Sequence, residues 1–199
     1  MGYPTGQWII PVHGVRWWFD SGSLALDFVY TGDAADPQGA TWQTRDRLDD
    51  LAVWFQERFP DVDPPSDDGE IRDALTLRDA LARLSRSASR GAVLAPADID
   101  TVNLFAAMPD IPPQLAGGSR QVGRARPRFR QALGTLARGA IVLFSPDVVD
   151  RVRECSADEC HFLYLDTSRS RNRRWCSMQR CGNRAKVRAH RERTLLDPA

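Results

Sequence analysis

Cys155, Cys160, Cys176 and Cys181 are the only cysteines in this chain of 199 residues. Four residues lie inside each pair and fifteen lie between the pairs. Two short-spaced pairs flanking a longer segment form the pattern of a tetrahedral zinc site, because each short loop brings two sulfurs to one ion and the spacer lets the two halves meet. Four thiolates at about 2.3 Å saturate the ion and leave no position for water, so the chemistry implied is structural rather than catalytic. Two disulfides would use the same four residues, an arrangement that a cytosolic chain disfavours. Inert buried thiols would not need this clustering. His161, beside Cys160, is an alternative donor, although four cysteines already complete the shell.

The elements that must hold these sulfurs are small. "HFLYLDTS" reads as a strand and "NRRWCS" as its partner, joined by the polar turn "SRSRN". A hairpin of this size buries no core of its own, and metal binding, which contributes about 10–16 kcal/mol in small modules, compensates. Ser177 can cap a helix. Cys176 would then stand just before the cap and Cys181 at the fourth helical residue, two positions that touch one another in hydrophobic staples. Gly182-Asn183 offers a turn that would start the helix later. Asn183 can orient the start of the helix or donate to a cysteine sulfur, and Trp175 reads as packing of the small core.

Charge divides the chain. Residues 1–150 carry fifteen Arg and no Lys against twenty Asp and Glu, a net of −5, whereas residues 151–193 carry twelve Lys and Arg against five Asp and Glu, a net of +7. One zinc ion on four thiolates lowers the latter to about +5. Arg184, Arg188 and Arg191 fall on one helical stripe, and Lys186, His190 and Arg193 on another. The turn adds Arg169, Arg171, Arg173 and Arg174. Guanidinium forks suit phosphates and guanine edges. The expectation is that the turn contacts DNA phosphates while the helix enters or lines the major groove. RNA or an acidic protein is the alternative partner for the same face, and a solvated helix that shields the metal core or docks on the acidic domain is the plainer reading.

Residues 1–150 read as mostly helical. Helices are expected over 44–59, capped by Thr44 with Asp46, Asp49 and Asp50 near its positive end and Leu48, Leu51, Phe55 and Phe59 at helical spacing. Others are expected over 70–89, with Ile71, Leu75, Leu81 and Leu84 inward and Gly91 beyond its end, over 96–107, and over 128–144. Ser145-Pro146-Asp147 predicts a fifth short helix toward Arg153. "GSLALDFVYT" alternates as a short strand does, with a buried helical turn as the alternative. Residues 108–127 form a long Pro/Gly-rich connection, a candidate flap. Trp8, Trp17, Trp18, Trp42 and Trp54 read first as core and second as the lining of a ligand pocket. Asp27 reads as an internally satisfied carboxylate. The fold class is therefore mainly α with a small β element: a helical N-terminal domain over 1–150 and a zinc-stabilised β-hairpin/helix module over 151–195.

The run Cys181-Gly182-Asn183-Arg184, set in "DTSRSRNRRWCSMQRCGNRAKVRAHRER", resembles the CGNR zinc finger across both cysteine pairs and the basic tail. "LALDFVYT" is similar to the Leu-Asp-Phe-Val-Asn-Thr motif that opens the ABATE domain, the usual companion of this finger, with Tyr30 where the family usually has Asn. The resemblance implies a bacterial-type, stress-induced transcription regulator with one structural Zn2+ per chain. Its N-terminal domain would then sense a small-molecule effector or form a homodimer. The N-terminus lacks a basic region before its apolar run, and no apolar stretch reaches the length of a membrane span, so a cytoplasmic protein is expected. No P-loop, His-x-Glu deaminase signature or Gly-x-Ser-x-Gly elbow occurs, and no enzymatic activity is expected.

Overall fold

The structure is a computed structural model that describes residues 3–11, 15–32, 48–113, 126–158 and 160–196. The expected cap Thr44, together with Trp42 and Asp46, lies outside the described residues, as do positions 114–125 of the long connection. The elements in order are β1 (Gln7–Ile9), β2 (Trp17–Phe19), α1 (Leu24–Val29), α2 (Leu48–Arg58), α3 (Asp68–Ser89), α4 (Pro96–Ala106), α5 (Phe129–Leu143), β3 (Val152–Glu154), β4 (Leu163–Leu165) and α6 (Asn183–Leu196). β1 pairs antiparallel with β2, Trp8 opposite Trp18, and β3 pairs antiparallel with β4, Arg153 opposite Tyr164.

α3 is the spine. Its first turn is closed by Asp67, whose side chain accepts from the Glu70 backbone N–H at 2.9 Å, while Glu70 reaches back to the Ser66 N–H at 2.8 Å. This reciprocal closure starts the helix two residues earlier than its apolar spacing suggests. Ile71, Ala74, Leu77, Leu81 and Leu84 are buried along one side, and α3 packs on α1, α4 and α5 and on the strands β3 and β4. Gly91, at φ 63°, ends it in the left-handed region that glycine adopts without strain. Arg83 of α3 grips both carboxylate oxygens of Asp98 of α4, Nη2 donating to Oδ1 at 2.7 Å and Nε to Oδ2 at 3.1 Å. Arg138 of α5 donates to the Ala106 and Met108 carbonyls, both at 2.8 Å, closing the end of α4.

Three expectations are corrected. "LALDFV" is a helix, not a strand: Ala25, Leu26, Asp27, Phe28 and Val29 are all buried, so the segment is enclosed on every side. A fully buried short helix has no polar face from which a period of 3.6 could be read. The segment after α5 makes a turn and a single 3-10 turn at Val149–Arg151, then becomes strand β3 instead of continuing as a helix. β4 finds its partner in that strand, with Val152 opposite Leu165 and Glu154 opposite Leu163. "NRRWCS" is therefore not the second strand. It lies beside the hairpin through separate bonds, the Ser156 N–H to the Arg174 carbonyl at 2.9 Å and the Tyr164 hydroxyl to the Arg173 carbonyl at 2.6 Å.

The core is shared across the chain. Phe162, just before β4, lies among Trp17, Phe19 and Tyr30 with ring centroids 4.8–5.2 Å away. The Leu165 N–H donates to the Ser21 carbonyl at 2.8 Å. The chain turns beside that bond at Gly22, φ 75°, where a Cβ would stand 2.9 Å from the Leu165 carbonyl oxygen. Asp27 is satisfied internally: its carboxylate accepts from the Gly6 N–H and the Ser21 hydroxyl, both at 2.6 Å. Trp54 is fully buried and donates to Gln7 at 2.8 Å, whereas Trp8 and Trp18 are each 49% exposed.

Candidate metal centre

Each half of the cluster is built by a local turn. Cys155 follows β3, and its N–H continues the ladder to the Phe162 carbonyl at 2.9 Å. The loop then turns so that the Cys160 N–H reaches the Ala157 carbonyl at 3.0 Å. On the other side Ser177 caps a π-helical turn, Met178–Gly182, that runs directly into α6. The N–H groups of Cys181 and Gly182 both converge on the Ser177 carbonyl at 3.0 Å. That widened turn carries Cys181 beneath Cys176, sulfur to sulfur 3.6 Å.

The four sulfurs all lie within 4.8 Å of one another, and the Cys160 and Cys176 sulfurs are also 3.6 Å apart. All four residues are buried and none forms a disulfide. Tetrahedral zinc with bonds of about 2.3 Å sets sulfurs about 3.8 Å apart, so the spacing and chemistry of this donor set fit one zinc ion. The Cys176 N–H points at the Cys155 sulfur, 3.4 Å away, the kind of bond that steadies a thiolate. His161 is not one of the clustered donors: its Nδ1 lies 2.7 Å from a Glu154 carboxylate oxygen.

Around the cluster the buried Asp166 organises the arginine-bearing turn. Its carboxylate accepts from the Ser168 N–H and hydroxyl, at 2.9 and 2.5 Å, and from the Arg173 N–H at 3.0 Å. Burial pulls this carboxyl upward, but those bonds prevail and hold it below the usual range. The Arg173 guanidinium donates to the carbonyls of Cys176, Trp175 and Asp20, at 2.6, 3.0 and 3.1 Å, and covers the Tyr164 ring. It is a brace of the fold. Arg169, Arg171 and Arg174 are exposed on the same turn. Trp175 packs partly buried against the core, and the Asn183 amide donates to the Gln179 carbonyl at 3.3 Å rather than to a sulfur.

α6 presents the expected stripe. Arg184, Arg188 and Arg191 line one side of a groove of about 830 Å³, and Arg16 and Trp17 of the N-terminal hairpin line the other. Arg180 lies over the Trp17 ring, 4.6 Å from its centroid. Lys186 is exposed outside that lining. Arg188 also pairs with the exposed Asp158. Sequence reasoning did not single out Arg16 or Arg180, because some 160 residues separate the two walls and no local pattern joins them. No helix among the described residues is long and apolar enough to cross a membrane.

Comparison with known families bears out the resemblance at both ends. Residues 151–194 match the CGNR zinc finger, and residues 22–147 match the ABATE family, described as "Putative stress-induced transcription regulator". No curated protein matches the chain. The four clustered cysteines are those of the finger, and the ABATE match takes in α1 to α5. With well over half of its length inside that match, the chain belongs to the ABATE family and carries a CGNR zinc finger at its C-terminal end.

Proposed function

We propose that this protein regulates transcription by binding duplex DNA through a finger, residues 151–195, that one zinc ion holds in shape, with residues 1–150 forming the domain that carries it. Cys155, Cys160, Cys176 and Cys181 hold the ion. When bound, it supplies a rigid, closed cross-link and partial neutralisation of the thiolate charge. The observation that carries the reading is the junction at Ser177. The turn that presents Cys176 and Cys181 runs unbroken into α6, so the metal fixes the direction of Arg184, Arg188 and Arg191. Those arginines, with Lys186 and the exposed Arg169, Arg171 and Arg174, supply phosphate contacts and the means to read guanine edges. The family description supports regulation, and the positive finger supports a polyanionic partner.

The test is selection of bound duplexes from a random pool by the full, zinc-loaded chain, followed by salt-titrated affinity for the winners and for matched RNA. Enrichment of a shared duplex motif, with affinity falling steeply as salt rises, is the expected outcome. Equal or tighter binding of the RNA, or no enrichment at all, would overturn the reading.

A further inference from the structure

The groove beside α6 has a wall that does not belong to the finger. On the helix side stand Arg184, Arg188 and Arg191, spaced about 6 and 4.5 Å apart along the axis. Arg180 lies across the floor on the Trp17 ring. The opposite wall is the entry into β2, Val15 and Arg16, with Val15 86% exposed. Five arginines line this one groove, and no carboxylate is among the described residues that line it. Asp158, which pairs with Arg188, is outside the lining. Sites for compact small molecules are enclosed and bury most of the ligand, whereas this groove is open to solvent. This one is a row of cations, a shape complementary to a linear polyanion.

We infer that this groove holds the phosphodiester backbone of one strand of the DNA engaged by α6, so that the N-terminal hairpin supplies half of the nucleic-acid interface. The inference rests on the DNA-binding reading above and assigns to it a partner surface that the finger alone lacks. Arg16 is then a phosphate contact, and Trp17 is the platform that keeps Arg180 pointed along the groove.

The experiment uses the full, zinc-loaded chain and a fluorescein-labelled duplex of mixed sequence, with affinity read by anisotropy between about 50 and 200 mM salt. Arg16→Ala should reduce the slope of log K against log salt by about 0.9, as Arg191→Ala does, and Arg16→Lys should restore it. Val15→Glu, which adds a carboxylate at an exposed position, should weaken low-salt binding about tenfold or more while leaving the melting temperature unchanged. Arg16→Ala and Val15→Glu proteins that bind like the wild type overturn the inference, whatever Arg191→Ala does. Displacement of the duplex by an equal concentration of AMP would also overturn it, because the groove would then be a site for a small anion. A wild-type protein that binds no duplex at any salt would instead remove the DNA-binding reading, and the inference with it.

Discussion

Tyr30 and Phe162 stack face to face, their ring planes 4° apart and their centroids separated by 4.8 Å. The Tyr30 hydroxyl accepts from the Leu163 N–H at 2.5 Å and donates to the Leu163 carbonyl at 3.3 Å. One side chain from the end of α1 thus meets both the Phe162 ring and the backbone of Leu163, the first residue of β4. Burial holds the Tyr30 hydroxyl well above its ordinary titration range, so it remains a donor. Tyr30→Phe keeps the stack but leaves a buried N–H and carbonyl without their partner, a loss of about 1–3 kcal/mol. Phe162→Ala removes the ring and should cost about 3–5 kcal/mol. Equilibrium denaturation of the zinc-loaded proteins checks both, and a Phe162→Ala protein as stable as the wild type would show that the contact is idle.

Metal removal should be felt beyond the finger. Chelation under reducing conditions should lower the melting temperature of the whole protein and shift amide resonances of α1 and β2 more than those of α4, which packs on α3 and α5. A cluster variant, Cys176→Ser, should reproduce the change and bind less than one zinc per chain. An N-terminal domain whose spectrum and melting ignore the chelator would refute the coupling.

Two arginines of the finger should behave in opposite ways. Arg173→Ala deletes three bonds to carbonyls and the cover on Tyr164, so it should destabilise the fold whether or not DNA is present. Arg188→Ala should leave thermal stability nearly unchanged, because its ion pair with Asp158 is exposed. It should reduce the salt slope for duplex by about one contact. Calorimetry and salt-titrated anisotropy separate the pair, and a stability loss confined to Arg188→Ala would reverse the assignment.

Two aspartates carry opposite pH signatures. Burial pushes Asp27 up to about 6 against the pull of its bonds from Ser21 and Gly6. Between the unfolded value of about 3.9 and about 6, the native state keeps a proton that the unfolded chain has released. This group's contribution to stability therefore falls as pH rises through that window and is level above it. Asp166 is held low, so its contribution is present above the ordinary carboxylate range and is lost as pH falls through its depressed value. Carboxyl-carbon NMR titration should find Asp27 near 6, and an Asp27 that titrates below 4 would contradict this account.

The legible parts of the molecule were those in which chemistry and spacing are local. Each cysteine pair closes over a few residues, and the Ser177 cap stands between Cys176 and Cys181. The long helices α3 and α5 were readable because each has one buried and one exposed side. β3 was not, because three residues between a 3-10 turn and a cysteine carry too little alternation to be told from a helix end. α1 was ambiguous because burial on every side erases periodicity. The Arg16 wall of the groove depends on tertiary packing alone, which brings "RWW" against "QRCGNR" across most of the chain.

The shared aromatic core also limits how portable the finger is. Residues 151–194, grafted onto another protein, would turn Phe162 and the β4 backbone toward water and leave Leu165 without the Ser21 carbonyl. A chimera that keeps the finger's shape must import β1, β2 and α1 as a socket. The smallest transplantable unit is thus discontinuous, assembled from both ends of the polypeptide with the helical bundle as its spacer.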